Sequence, residues 1–306
     1  MSRIHEALKK AEQERSEQQA GQLGAQQQVP GITSELRNPS PVVIHAPVTS
    51  ASGTKDSSVQ LTATAILAQC QRQVWSLDPS VLVFTDGENH SVGKEVFRTL
   101  RTRLYQIRDS QPLRTLLITS ALPGEGKTFV TSNLAQSIVR QRERRVLLID
   151  GDLRLSRLNQ PLGALPTPGL SDYLLGEADE SMVLQRGEEE NLFLIPGGRS
   201  VSNPTELLGN GRLETLLSRL APAFDWVLLD SPPTIPVSDA TIIAKLCDGV
   251  LMVVRSGSTP FDLAQKACQE FQEKPIVGVV LNQADYREHY GGYDYGGYIE
   301  EPRKEK

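Results

Sequence analysis

Three short stretches hold the residues best suited to chemistry, and all three suit a phosphorylated ligand. The first reads "LLITSALPGEGKTFVTSNLA". It approximates GxxxxGK[ST], in which a loop between a strand and a helix turns its backbone N–H groups toward phosphate oxygens. Gly126, Lys127 and Thr128 match the pattern, while Ala121 stands at its first glycine position. Gly124 and Gly126 supply the backbone freedom that the bend needs. The helix N-terminus behind them adds partial positive charge. In such a loop Lys127 reaches the β- and γ-phosphates of ATP and the Thr128 hydroxyl coordinates Mg2+. The plainer alternative is an ordinary strand-turn-helix with a surface lysine.

The other two stretches end in acids. "VLLIDGDLR" places Asp150 and Asp152 at the end of an apolar run, with Arg154 next, and "DWVLLDSPP" places Asp230 at the end of another. One acid at a strand end is usually a cap or a turn residue. Three beside a phosphate loop imply magnesium and a general base, because Mg2+ keeps several waters and uses only one or two carboxylates. That leaves an aspartate to orient or deprotonate a nucleophile. Asp239, in "VSDA", is either a further acid at the site or the cap of the following helix.

Positioning these groups requires a sheet. Six apolar runs, "RTLLITS", "RRVLLID", "NLFLIPG", "DWVLLDS", "GVLMVVR" and "IVGVVLN", alternate with helical segments. They are apolar on both faces, as strands buried in a parallel sheet are. Alternation of this kind predicts an α/β domain with right-handed crossovers. Ligands bind such sheets beyond the carboxyl ends of the strands, where the aspartates fall. "NPTELLGNGRLETLLSRL" opens with a helix start: Asn203 as cap, Pro204 at the first position and Glu206 at the third. "SVGKEVFRTLRTRLYQI" predicts a helix capped by Ser91, with Val96, Leu100, Leu104 and Ile107 on one face. The expected fold class is therefore α/β, a P-loop NTPase with a mostly parallel β-sheet flanked by helices.

Outside the core the chain changes character. Residues 1–15 predict an amphipathic helix, with Ile4, Ala7, Leu8 and Ala11 in one stripe and Ser2 as cap. Residues 16–78, rich in Gln, Ser, Pro, Gly and Thr, are expected to be mostly disordered linker, with "LTATAILAQCQRQVW" at their end as a possible helix. The domain expected over residues 79–285 is followed by a tail, 286–306, that holds Tyr286, Tyr290, Tyr293, Tyr295 and Tyr298 among glycines and acids. Glycine denies the tail a fixed fold. The acidic balance of −5 weighs against a dedicated nucleic-acid binder, and the acids among the tyrosines weigh against base stacking. Cys70, Cys247 and Cys268 show no metal-like spacing. A charged N-terminus and the absence of a long apolar run predict a cytoplasmic chain.

"LPGEGKT" with "LLIDGDLR" and "VLLDSPP" resembles the Walker A, A′ and B motifs of the bacterial tyrosine kinases (BY-kinases). These are autokinases of capsule and exopolysaccharide synthesis, in the MinD/ParA-like branch of P-loop proteins. The hhhDxDxR form met by Asp150, Asp152 and Arg154 marks the kinases, and the signature lysine of the wider branch is absent from "SALPGEGKT". "NPTELL" and "PVSDA" also look like family segments, and the likeness covers roughly residues 80 to 300.

The resemblance implies that Lys127, Asp150 and Asp152 are catalytic, with the choice of base between the two aspartates left open. It implies nucleotide contacts from Ser120, Gly124, Glu125, Gly126, Lys127, Thr128, Phe129 and Asn282, and magnesium held by Thr128, Asp152 and Asp230. Asn282 sits where relatives touch the adenine, though a structural asparagine fits there too. Glu95, Arg98 and Arg101 resemble the family's ExxRxxR oligomer motif, against the alternative of a solvated face with intrahelical pairs. The expected activity is ATP-dependent autophosphorylation of the tail tyrosines, in trans within a ring-like homo-oligomer. The implied partner is a membrane-bound activator, a polysaccharide co-polymerase, that recruits the chain to the inner face of the membrane. The alternative is a MinD/ParA-like ATPase switch that transfers phosphate only to water.

Overall fold

The computed structural model describes residues 63, 65–85, 91–141 and 143–284. The expected N-terminal helix over 1–15 and the tyrosine tail from Tyr286 lie outside the described residues. The described elements run β1 (Gln71–Arg72), α1 (Ser91–Ser110), β2 (Thr115–Ser120), α2 (Lys127–Val139), β3 (Val146–Asp150), α3 (Leu170–Leu175), α4 (Glu180–Val183), β4 (Gln185–Arg186), β5 (Leu192–Ile195), α5 (Pro204–Leu208), α6 (Arg212–Leu220), β6 (Trp226–Asp230), α7 (Asp239–Ala244), β7 (Gly249–Arg255), α8 (Phe261–Gln269) and β8 (Ile276–Asn282).

All six predicted strands form, and they join one sheet in the order β1-β4-β5-β3-β6-β2-β7-β8. The central pairs β5–β3, β3–β6, β6–β2, β2–β7 and β7–β8 are parallel. The reversal lies at the far edge, where β4 runs antiparallel to β5. β1 and β4, two residues each, carry too short a pattern to read from sequence.

The sheet divides the core by simple alternation. Leu116, Ile118, Leu148 and Leu228 pack on one face with α1 and α2, through Phe97, Leu104, Leu134 and Ile138. Leu117, Leu147, Ile149 and Leu229 pack on the other, with Leu216 of α6, Ile243 of α7 and Ala267 of α8. Each of these aliphatic side chains is removed from water, worth about 1.5–3 kcal/mol apiece. Leu117→Ala, in the middle of the sheet, would cost about 2–5 kcal/mol. α2 lies under the sheet with all but two of its 13 residues buried.

Several expectations change in detail. β8 is an edge strand and only partly buried, leaving Val279 and Leu281 more than half exposed. On α1 it is Phe97, not Val96, that enters the core, and Val96 is exposed. The stretch predicted as a helix over 61–75 is helical over 65–69 and then extends into β1. Residues placed with the linker contribute buried Ala63, Ile66 and Trp75 to the packed unit. The next segment is tied to α2 by Asn133, whose Oδ1 accepts from the Val83 N–H at 2.8 Å and whose amide donates to Val81 O at 3.0 Å. Asn203 precedes α5 as expected, but its side chain makes no capping bond and donates instead to Glu206 at 2.8 Å. No described helix is long and apolar enough to cross a membrane.

Candidate active site

The loop from β2 to α2 is shaped by its own side chains. Ser120 turns its buried hydroxyl onto Leu122 O at 2.7 Å. Gly124 and Gly126 adopt φ of 79° and 91°, left-handed values that side chains resist. At Gly126 the constraint is doubled, because a Cβ there would lie 2.0 Å from Asn282 Nδ2. Lys127 opens α2 at a buried position, and Thr128 follows it.

The Glu125 side chain turns away from the loop's mouth into the protein. Its carboxylate is buried and accepts from the Leu122 N–H at 2.7 Å, the Arg255 N–H at 3.3 Å and the Thr259 hydroxyl. The side chain therefore braces the loop against the end of β7. Asn282, at the end of β8, completes the brace by donating to Glu125 O at 2.8 Å. The Phe129 ring meets Phe97 of α1 edge-on, with centroids 5.7 Å apart.

The aspartates converge beside this loop. β3 and β6 pair in register so that Asp150 and Asp230 are direct partners at the strand ends. Thr128 donates to Asp230 Oδ2 at 2.6 Å, and Thr131 lies 3.4 Å from the other oxygen. Burial pushes the Asp230 carboxyl up to about 7, and the Asp150 charge adds to the effect, while the Thr128 hydroxyl and the Lys127 charge oppose it. Burial likewise raises Asp150 to about 6, with bonds from Ser156 and Leu158 holding it lower than burial alone would.

Asp150 is saturated with donors. Its Oδ2 accepts from Ser156 Oγ at 2.6 Å, the Leu158 N–H at 3.0 Å and the Arg157 N–H at 3.1 Å, and its Oδ1 accepts from the Asp152 N–H at 3.1 Å. The loop after β3 thus winds around this one carboxyl. Asp152 is less buried and accepts from the Leu155 N–H at 2.9 Å.

Asp239 answers its two expectations with a third. It caps nothing and stands apart from the phosphate loop's bonds. Its carboxyl, wholly removed from solvent, takes the Arg154 guanidinium on both oxygens, at 2.7 and 3.2 Å. Thr205 donates to the same carboxyl at 2.6 Å. The distant segments "NPTELL" and "PVSDA" meet through these bonds, which sequence spacing alone could not have disclosed.

Glu95, Arg98 and Arg101 of α1 separate. Glu95 and Arg98 pair with each other at the surface. Arg101 turns inward and donates to Ser137 O at 2.5 Å, meeting one of the last carbonyls of α2.

Hard oxygen donors, Thr128 and Asp230, stand together at the first turn of α2, which is the donor set a magnesium–nucleotide site needs. Among the described residues no group of three or more His, Cys, Asp or Glu side chains forms a metal cage of its own.

Comparison with known proteins places this geometry. Residues 116–294 match the CobQ/CobB/MinD/ParA nucleotide binding domain family. The chain is 32% identical over 210 residues to tyrosine-protein kinase YwqD of Bacillus subtilis, covering 67% of this chain and 88% of that one. It is 35% identical over 206 residues to tyrosine-protein kinase wzc of Salmonella typhimurium, covering 67% of this chain but only 28% of that longer relative. The solved kinase domain of Escherichia coli tyrosine kinase ETK superposes with a TM-score of 0.58 at 32% identity, over 63% of this chain and 77% of that domain. With its phosphate loop and paired strand-end aspartates on this nucleotide-binding fold, the chain belongs to the bacterial tyrosine-protein kinases.

Proposed function

We propose that the protein transfers the γ-phosphoryl group of ATP to tyrosines of its own C-terminal tail, in trans between subunits of a ring-like homo-oligomer. The observation that carries this reading is the convergence of Thr128, Asp230, Asp150 and Asp152 at the mouth of the phosphate loop. Lys127 and the loop amides hold the β- and γ-phosphates. Thr128 and Asp230 would hold magnesium, leaving Asp152 free, and the ion when bound neutralises charge on those phosphates.

A tyrosine phenol has a pKa near 10 and needs a carboxylate to take its proton. Asp152 suits that role better than Asp150, because both oxygens of Asp150 are already engaged. The phenol oxygen bonds to the γ-phosphorus, the bond to the β-phosphate oxygen breaks, ADP leaves and the proton passes to Asp152.

The domain over residues 79–285 is the catalytic unit and the tail 286–306 is the substrate. Tyr286, Tyr290, Tyr293, Tyr295 and Tyr298 each gain about −1.5 to −2 charges on phosphorylation. Repulsion among them then loosens the ring, whose contacts include Glu95 and Arg98. The chain acts at the cytoplasmic face in exopolysaccharide or capsule synthesis and export, with a membrane-bound co-polymerase as activator. The test is incubation with Mg-ATP followed by phosphotyrosine detection on wild type and Lys127→Met. ATP hydrolysis without phosphotyrosine in the wild type would instead make the chain a MinD/ParA-like ATPase switch.

A further inference from the structure

The loop that follows β3 is held from two sides. From within, Asp150 gathers Asp152, Ser156, Arg157 and Leu158 around its carboxyl. From without, Arg154 at the loop's outer bend reaches Asp239 and Thr205. The outer bonds close on themselves. Arg154 Nη2 donates to Thr205 Oγ1 at 2.8 Å, Thr205 donates to Asp239 Oδ1 at 2.6 Å, and Asp239 accepts from Arg154 on both oxygens.

We infer that Arg154, Asp239 and Thr205 form a positioning cluster that fixes the loop carrying Asp152 to the starts of α5 and α7. The inference rests on the tyrosine-kinase reading above. A carboxylate removed from water persists only with strong partners, and Asp239 has three charge-assisted bonds to supply them. Removing one partner leaves a buried charge uncompensated, so the cluster holds or fails as a unit. Its anchors are firm ones. Thr205 follows Pro204 in the first turn of α5, and Asp239 opens α7 against the buried Ala240 and Ile243. α5 and α7 also contribute to the apolar face of the sheet through Leu207, Leu208 and Ile243. The loop is thereby referenced to the core rather than to solvent. Transfer between a phenol and a phosphate depends on such referencing, since a misplacement of about 1 Å can cost roughly 100-fold in rate.

The cluster makes none of the bonds of the phosphate loop. Its loss should therefore separate transfer from nucleotide capture. In Asp239→Asn, kcat for tyrosine phosphorylation is expected to fall at least 10-fold while KM for ATP stays within about 2-fold. Thr205→Val, which deletes only the hydroxyl, is expected to fall by a smaller factor and serves if Asp239→Asn does not fold. Hydrogen exchange measured on the same full-length proteins provides a readout independent of activity. Amides of residues 151–158 are expected to exchange at least 10-fold faster in the variant, with β2 and α2 unchanged. A folded variant whose 151–158 exchange matches wild type, or whose kcat stays within 2-fold, overturns the inference. So does a kcat loss accompanied by an equal loss of ATP affinity. A wild type that forms no phosphotyrosine removes the kinase reading instead, and the exchange rates then decide the anchoring alone.

Discussion

Asp150 and Asp230 are direct register partners at the ends of two adjacent parallel strands, and both are wholly buried. Two carboxyls so placed cannot both ionise cheaply. Each is held above the ordinary carboxylate range by burial, and the neighbouring charges of Asp150 on Asp230 and of Asp152 on Asp150 add to it. This is the arrangement a cation resolves, and it makes the site sensitive to pH in two ways that can be measured.

The first concerns ligand capture. Asp230 must lose its proton to hold magnesium, and its pKa stands at about 7 without metal. The magnesium-dependent part of ADP affinity should therefore rise roughly 10-fold between pH 6 and pH 8. Titration calorimetry in two buffers of different ionisation enthalpy should show proton release near neutrality. Equal affinity at both pH values, with no proton released, would refute the assignment.

The second concerns stability without metal. The folded values, about 6 for Asp150 and about 7 for Asp230, lie above the unfolded value of 3.8. Stability from these groups is thus fully present below pH 3.8 and is lost as pH rises through 6 and 7. Asp230→Asn removes one of the two buried charges and should raise apo stability at pH 8 by ~1–3 kcal/mol, while flattening its pH dependence. Thermal melts of both proteins from pH 5.5 to 8 in chelator would show the slopes. A less stable Asp230→Asn at pH 8 would reverse the sign and contradict the account.

Glu125 is the brace between the phosphate loop and the end of β7. Glu125→Ala leaves the Leu122 and Arg255 N–H groups without their acceptor. The expected cost is about 2–4 kcal/mol, or roughly 5–15 °C in Tm for a domain of this size, together with a raised KM for ATP. Differential scanning calorimetry and steady-state kinetics on the same preparation would check both. Unchanged melting would mean that the brace carries no weight.

The charged residues of α1 should behave as two classes. Arg101→Ala removes the donor on Ser137 O and should cost about 1–3 kcal/mol of chain stability. Glu95→Ala breaks only an exposed pair worth about 0.2–0.5 kcal/mol. If the proposed ring uses Glu95 and Arg98, their joint replacement lowers the mass seen by sedimentation without moving the urea midpoint. Equal destabilisation by Glu95→Ala and Arg101→Ala would sink the distinction.

Much of this was legible in the sequence because its signals are local. Six apolar runs become six strands, since each run is long enough to cross a sheet. The glycines, Lys127 and Thr128 announce the loop because phosphate capture needs those types in that order. What escaped depends on contacts between distant residues. Glu125 meets Thr259 across 134 positions, and Arg154 meets Asp239 across 85. No periodicity encodes such pairings, although "NPTELL" and "PVSDA" stood out as segments. The inward turn of Arg101 onto Ser137 was equally hidden, for a geometric reason. Steps of three residues drift around a helix, and by the second step the side chain faces α2. The exposed edge of β8 was hidden because an edge strand and a central strand can share the same apolar composition.

The central claim is transfer of phosphate from ATP to the tail of another copy, and a complementation experiment tests it most directly. One chain carries Lys127→Met with its tail intact, and the other is active but has all five tail tyrosines changed to Phe. Neither alone should form phosphotyrosine with Mg-ATP. Mixed, they should place phosphate on Tyr293, Tyr295 and Tyr298 of the Lys127→Met chain first, as read by mass spectrometry. Continued ATP hydrolysis in the mixture with no phosphotyrosine on that tail would contradict the account.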